Sequence, residues 1–465
     1  MRYLAVDFGS TYTKLTAVDA ACAAVVGTAA AFTTIATDVM DGFKAALAEL
    51  SAQIGGFAYD RLLCCSSAGG GLKMVALGLV PELTATAAKM AAESAGAKVM
   101  RTYAYEISVA EQDAIRAVKP DIVLLCGGTD GGNRDVIIKN AGLLCEVDGD
   151  FPVIVAGNKS AARELEAIFK ASGKQYVITK NVMPVFGRLD IEPARSAIRD
   201  IFIDRIIDAK GLAGVQALTE RPIIPTPLAV LQGCELLSRG TRHIPGLGEF
   251  LAVDPGGATT DVYSLAAGTP AQGGIVLKGL PEPYAKRTVE GDLGMRRSAG
   301  FLLEEAGPEA VAQACGLDQA TVRAWVGQCA ANPEILAPAG SPERRIDEAL
   351  AGCAIAIAVE RHCGVMEQTY TPLGEMFTLT GKDLSAVPHV VGTGGVLCNS
   401  ENPLAVLRHA AGAAKRTGRM LPRSPGFMLD ERYILSAMGL IGAVDPDLAL
   451  TIMRRELRVL DPASL

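Results

Sequence analysis

The stretch Ala5-Val6-Asp7-Phe8-Gly9-Ser10-Thr11-Tyr12-Thr13-Lys14 decides the fold, because its pattern returns as Ala252-Val253-Asp254-Pro255-Gly256-Gly257-Ala258-Thr259-Thr260-Asp261. Each copy is an apolar strand with an aspartate near its end, a turn of glycines and hydroxyls, and a second strand. Glycine lets backbone N–H groups approach a phosphate closely, and hydroxyls add donors. An aspartate at a strand end suits hydrated Mg2+, which takes one or two carboxylates plus phosphate oxygens. One such hairpin alone reads more simply as an ordinary β-turn. Two of them, in this order, predict a triphosphate clamped between two domains.

On this reading Asp7, Asp254 and Asp261 are the candidate catalytic carboxylates, with Asp7 and Asp254 holding Mg2+ through water. Gly9, Ser10, Thr11, Tyr12, Thr13 and Lys14 form the first nucleotide-binding turn. Gly256, Gly257, Ala258, Thr259 and Thr260 form the second. Thr11, Thr13 and Thr259 are expected to donate to phosphate oxygens. A third element, Val390-Val391-Gly392-Thr393-Gly394-Gly395, reads as a buried strand ending in a glycine turn. A base or ribose can lie flat against such a backbone, so Gly392, Thr393, Gly394 and Gly395 join the set; alone, a short glycine motif is weak.

Between the hairpins the periodicity changes. From about residue 66 to 184, helical segments (81–95, 109–118, 135–144, 160–171) alternate with apolar strands (97–102, 121–126, 153–156, 175–179). That alternation predicts a parallel sheet with right-handed crossovers. Residues 192–212 and 225–237 read as helices, the second with a small-residue face, as does 433–443. Residues 331–342, rich in Pro and Ala, read as an exposed connection. The expected organisation is α/β: two domains with an interdomain nucleotide cleft. Residues 1–65 and 191–245 form the first, 246–465 the second, and 66–190 an α/β middle segment or inserted subdomain.

Composition sets the outer limits. The chain has 465 residues, 49% apolar and 20% charged, enough for several packed cores. With 44 basic and 51 acidic residues, a net charge of −7 and 5% aromatics, it is a poor nucleic-acid binder. Eleven scattered cysteines include no C-x-x-C pair, and read as buried thiols in a reducing compartment. The four histidines share no metal-ligand spacing. Asp7 and Lys14 interrupt any secretory signal, and the longest uncharged stretch, 20–37, reads as strand–turn–strand rather than a membrane span. A cytoplasmic protein with no membrane partner is expected.

The order of the segments resembles the phosphate-one, phosphate-two and adenosine motifs of the actin, heat-shock-chaperone and sugar-kinase ATPases, which implies two actin-like, ribonuclease H-like ATPase domains. Residues 225–237 and 436–443 resemble that superfamily's two connecting helices, which cross closely and hinge the domains. Lys14 is similar to the actin-type lysine that reaches the phosphates. A closer resemblance covers almost the whole chain. The run 6–19, the stretch SSAGGGLKMVALGLVPELTATAAKMAAE (66–93), the loop GGTDGG (127–132) and RTVEGDLGMR (287–296) resemble the glutamate mutase accessory family, called GlmL or MutL. It is unrelated to the mismatch-repair protein of the same name. The resemblance implies an ATPase-fold chaperone, using ATP and Mg2+, that reactivates an adenosylcobalamin-dependent mutase by expelling damaged cobalamin. Its partners would be the mutase subunits.

Three points stay open on the sequence. The middle segment either imitates the small α/β subunit on which such a mutase carries its cofactor, or merely completes the first actin-like sheet. Asp130 in GGTDGG is a third acidic group near the metal or, more simply, a turn residue. Glu290 and Asp292 are either nucleotide-side groups, as their position after phosphate-two implies, or a solvated charged loop. The competing function is a small-molecule kinase of the same superfamily. Against it, the single tryptophan, Trp325, lies far from any motif, and no acceptor-site base is marked. A filament-forming relative is a third reading that no feature favours.

Overall fold

The computed structural model describes residues 1–34, 38–67, 72–209, 212–270, 273–371, 374–412 and 418–461. The chain opens with β1 (Arg2–Phe8), β2 (Tyr12–Asp19) and β3 (Ala24–Phe32), an antiparallel meander. Helix α1 (Val39–Ile54) follows and buries Val39, Phe43, Ala46 and Leu50, one stripe at helical spacing. Asp38 caps its first turn, and Gly55 ends it at φ 74°, where a side chain would be strained. β4 (Arg61–Ser66) then pairs parallel with β1.

The strands of the middle segment are β5 (Lys73–Gly78), β6 (Lys98–Ala104), β7 (Ile122–Leu125), β8 (Val153–Val155) and β9 (Tyr176–Ile178). Among the described residues they pair only with one another, all parallel, in the order β6-β5-β7-β8-β9, and do not extend the first sheet. This is the 2-1-3-4-5 order of doubly wound α/β sheets. Helices α2 (Thr86–Ser94), α3 (Val109–Val118), α4 (Asp135–Cys145) and α5 (Ala162–Ser172) supply the crossovers. The expected helix over 81–95 begins instead as a π-turn, Pro81–Ala85. There the Thr84 hydroxyl accepts from the backbone N–H groups of Leu79 and Val80. A Cβ on Gly78 would fall 2.2 Å from the Ala85 nitrogen, so only glycine admits this close approach. The fully buried Ala87, Ala88, Ala91 and Ala92 of α2 share one core with β1, β5 and β7.

α6 (Glu192–Ala209) returns the chain to the first sheet, where the short β10 (Ile224–Pro225) pairs parallel with β4. The first sheet therefore runs β10-β4-β1-β2-β3.

The second half repeats it. β11 (Phe250–Pro255) and β12 (Thr260–Leu265) form the second hairpin, and β13 (Ile275–Lys278) and β14 (Ala285–Glu290) follow. Next come β15 (Val365–Thr371), β16 (Gly374–Thr380), β17 (His389–Gly392), β18 (Gly426–Asp430) and β19 (Leu457–Val459). The second sheet runs β14-β12-β11-β17-β18-β19. β14, β12 and β11 are antiparallel, and β17 and β18 add in parallel. This repeats the first sheet's order and polarity, with β19 added at the edge. Asp7 pairs with Lys14 in one hairpin and Asp254 with Asp261 in the other, the same register. The fold is the expected two-lobed actin-like α/β architecture. Among the features with no counterpart in the sequence reading are the separate sheet β13-β16-β15, the strands β14 and β18, and the helix Pro446–Glu456.

The sheets face one another across the helices Thr226–Arg239 and Leu435–Gly442. A Cβ on Gly439 would fall 1.8 Å from the Ala229 carbonyl oxygen, and one on Gly233 2.5 Å from that of Leu435. Glycine at both positions lets the two backbones touch.

Candidate functional site

The two hairpin turns are closed by the same bond. The Gly9 N–H donates to the Tyr12 carbonyl at 3.0 Å, and the Gly256 N–H to the Thr259 carbonyl at 2.8 Å. A Cβ on Gly9 would meet that carbonyl oxygen at 2.5 Å. Both turns border one cavity of about 620 Å³ between the lobes. From the first come Asp7, Gly9, Ser10, Thr11, Tyr12 and Lys14, and from the second Asp254, Gly256, Gly257, Ala258, Thr259 and Asp261. From the third motif only Gly395 reaches it, followed by Val396, Cys398 and Asn399.

The remaining expected residues lie elsewhere, for one recurrent reason. In a strand, successive side chains point to opposite faces. Tyr12 and Lys14 face the cavity, so Thr13 faces away and shares a hydrogen bond with Thr33. Thr259 and Asp261 face it, so the Thr260 hydroxyl donates to the Leu293 carbonyl instead. In β14, Arg287 and Val289 face it. Glu290 therefore points the other way and, with Asp292, is gripped by Arg361 at 2.7 and 2.9 Å. Neither carboxylate lines the cavity, contrary to the expected nucleotide-side position. Thr393 donates to Asp430, which also accepts from the N–H groups of Ile434 and Leu435 at the start of the second connecting helix. Gly392 packs against Leu407 and Leu397. Gly394 lies behind Asp254, where its Cβ would fall 2.6 Å from Oδ1. Asp130 accepts from Asn181 and from the Lys159 backbone, tying its loop to the segments that follow β8 and β9, and is absent from the cavity wall.

Asp7 is buried and accepts from the Thr226 hydroxyl at 2.5 Å, at the first turn of the first connecting helix. Burial raises its pKa against the pull of Lys14. Asp254 is pushed up to about 7, first by desolvation and then by the nearby Asp261 charge, with Lys14 opposing. Tyr433 donates to Asp254 Oδ2 at 3.1 Å, while Oδ1 is buried with no partner among the described residues. Such an orphaned oxygen fits a water of a hydrated divalent cation. Among the described residues no group of three or more His, Cys, Asp or Glu could cage a metal, so an ion here needs phosphate and water ligands as well. Asp261 accepts from Thr259 and is bridged by Arg287 at 2.6 Å.

Several wall residues escaped the sequence reading. Tyr433, at φ 53°, carries the Lys14 ammonium over its ring, 3.2 Å from the centroid. Arg296 pairs with Asp347, whose Oδ1 also accepts from Trp325 Nε1, so the lone tryptophan buttresses the site after all. Lys98 and Gly96 enter from the middle segment. None sits in a phosphate or adenosine motif, and nothing in the RTVEGDLGMR run, which Arg296 ends, marks that residue as a wall. Only the positive φ of Tyr433 marks one of them locally, and φ is not written in sequence.

No helix among the described residues is long and apolar enough to cross a membrane. The gluconate kinase of Lactobacillus acidophilus aligns with a TM-score of 0.36 and 11% identity, over 100% of this chain and 94% of that one. The activator of the 2-hydroxyisocaproyl-CoA dehydratase from Clostridium difficile, with bound ADPNP, gives 0.30 and 10%, over 99% and 100%. Likeness at that level carries no functional argument. Sequence relatives are closer. Protein MutL of Clostridium tetanomorphum is 45% identical over 457 residues, covering 98% of this chain and 99% of that protein. The pattern of the family described as MutL protein matches residues 3–457. On both findings, the chain belongs to the MutL protein family.

Proposed function

We propose that this protein is an ATP-dependent reactivating chaperone for an adenosylcobalamin-dependent mutase of the glutamate mutase or aminomutase type, acting in the cytoplasm. The observation that carries the reading is the pair of like-registered hairpins whose turns border one interlobe cavity. Asp7 and Asp254 would hold Mg2+ through water, and the ion would neutralise phosphate charge. The turn amides and the Thr11 hydroxyl donate to phosphate oxygens, and Thr259 would do so by giving up its bond to Asp261. Lys14, from lobe one, and Arg287, through Asp261, bring positive charge to the same space.

The two touching helices between the sheets allow the lobes to hinge. ATP then need only favour one of two lobe arrangements that differ in affinity for the mutase. We take residues 1–65 with 191–245 as the first lobe, 66–190 as a subdomain and 246–465 as the second lobe. The separate parallel sheet of the subdomain supports the idea that it imitates the mutase's cobalamin-carrying subunit and displaces it.

The test uses a mutase inactivated with cyanocobalamin, free adenosylcobalamin, Mg-ATP and this protein. Activity should return only when ATP is present. Failure with every mutase of this class, together with phosphorylation of a sugar or acid, would overturn the reading in favour of a kinase.

A further inference from the structure

Among the described residues, each cationic side chain on the cavity wall but one is already engaged. Lys14 rests on Tyr433, Arg287 on Asp261, Arg296 on Asp347 and Arg432 on Glu456. Arg344 donates to the carbonyls of Ala337 and Asn399. Lys98 has neither an ion pair nor a side-chain hydrogen bond among the described residues. It is half-buried, and it crosses from β6 to the second lobe, where a Cβ on Gly291 would fall 2.2 Å from its Nζ. A half-buried ammonium without a carboxylate partner is available to an anion in the cavity.

A second contact joins the same segment to the site. Arg287, buried, bonds Asp261 through Nε at 2.7 Å. Its other arm donates to the carbonyls of Glu93 and Ala97 at 3.3 and 3.2 Å, at and just past the C-terminal end of α2. A guanidinium there also complements the helix dipole. Ala97 is the residue before Lys98. The segment that leaves α2 and enters β6 is thus held on one side by a phosphate-hairpin carboxylate and presents a free cation on the other.

We propose that Lys98 contacts the phosphates of bound nucleotide and makes the middle α/β segment the part of the molecule that responds to nucleotide. This rests on the nucleotide reading above. A lysine suits the role, since its ammonium is a point charge on a flexible stem that can follow a ligand. Through Arg287, a change at Asp261 reaches the end of α2, and through Lys98 a change at the phosphates reaches β6. The middle sheet need not touch the nucleotide anywhere else to be moved by it.

The test is calorimetric titration of Mg-ATP into the wild type, Lys98→Met, Lys98→Gln and Lys98→Arg, with hydrogen exchange over residues 86–104 read with and without nucleotide. The Gln variant guards against a folding defect in the Met variant. Met and Gln should bind roughly tenfold more weakly or worse, as expected for a lost charge-assisted contact, while Arg stays closer to the wild type. Nucleotide-dependent protection of residues 86–104 should appear in the wild type and vanish in Met and Gln. Wild-type affinity in a folded Met or Gln variant overturns the proposal and leaves the nucleotide reading standing. Weakened binding with protection unchanged overturns the link to the middle segment. No binding by the wild type overturns both readings.

Discussion

The Tyr433 hydroxyl donates to the Asp254 carboxylate at 3.1 Å while its ring carries the Lys14 ammonium. One side chain thus joins the aspartate of the second phosphate hairpin to the lysine of the first. Its neighbour Arg432 reaches the Val25 carbonyl of the first sheet, so the turn after β18 bridges the lobes twice. Non-glycine residues at positive φ are costly and collect where surrounding structure over-determines them. Here the two lobes supply that structure.

This clasp is open to a stability measurement. Tyr433→Phe keeps the ring over Lys14 and loses one buried donor, a cost of about 1 kcal/mol. Tyr433→Leu loses the cation–ring contact as well and should cost more. Melting temperatures should fall in the order wild type, Phe, Leu. If all three melt together, the clasp contributes nothing in the nucleotide-free protein.

The metal assignment predicts binding defects. Asp7→Ala and Asp254→Ala should each weaken Mg-ATP binding by roughly tenfold or more, since each removes a ligand for the ion's waters. Calorimetry decides. Wild-type affinity in both variants would remove Asp7 and Asp254 from the site.

The helix crossing predicts a graded response to small substitutions. At Gly439 a new Cβ meets backbone, the Ala229 carbonyl, and at Gly442 it meets only the flexible end of Leu236 at 2.7 Å. Gly439→Ala should therefore destabilise by about 2 kcal/mol, and Gly442→Ala by less. Gly439→Leu should also suppress any difference between the ADP and ATP scattering profiles. Equal melting of the two alanine variants would contradict the crossing geometry.

A pH signature is expected at Glu93. Burial pushes this carboxyl up to about 7, against the pull of Lys89 and Arg287. The folded chain then holds a proton that the unfolded chain releases near its ordinary value, so stability falls as pH rises through that window. Glu93→Gln should gain about 1–3 kcal/mol over the wild type at pH 8 and little at pH 5. Thermal unfolding of both proteins at the two values is the check. A gain of equal size at both would mean that titration is not its source.

What the sequence determined by itself is local and repeated. The two Asp–Gly–hydroxyl hairpins were legible because an apolar strand, a glycine turn and a second strand are written in consecutive residues. The crossover helices of the middle segment were legible from their period, and α3 matched its expected bounds, Val109–Val118. Small residues and the superfamily resemblance marked 225–237 and 436–443 as a closely crossing pair, though not the atoms that touch, because no contiguous signal says which carbonyl will lie 1.8 Å from a missing Cβ. The tertiary structure alone decided which residues of each motif face the cavity. Strand pleat turned Thr13, Thr260 and Glu290 away and left Lys14, Asp261 and Arg287 in place. It also decided the walls that the phosphate and adenosine motifs do not carry. Lys98, Tyr433 and the Arg296–Asp347–Trp325 group come from segments far apart in the chain. They meet because the two sheets and the middle sheet pack on shared helices. Local pattern is set by neighbouring residues along the chain, whereas convergence is set by which apolar faces bury one another.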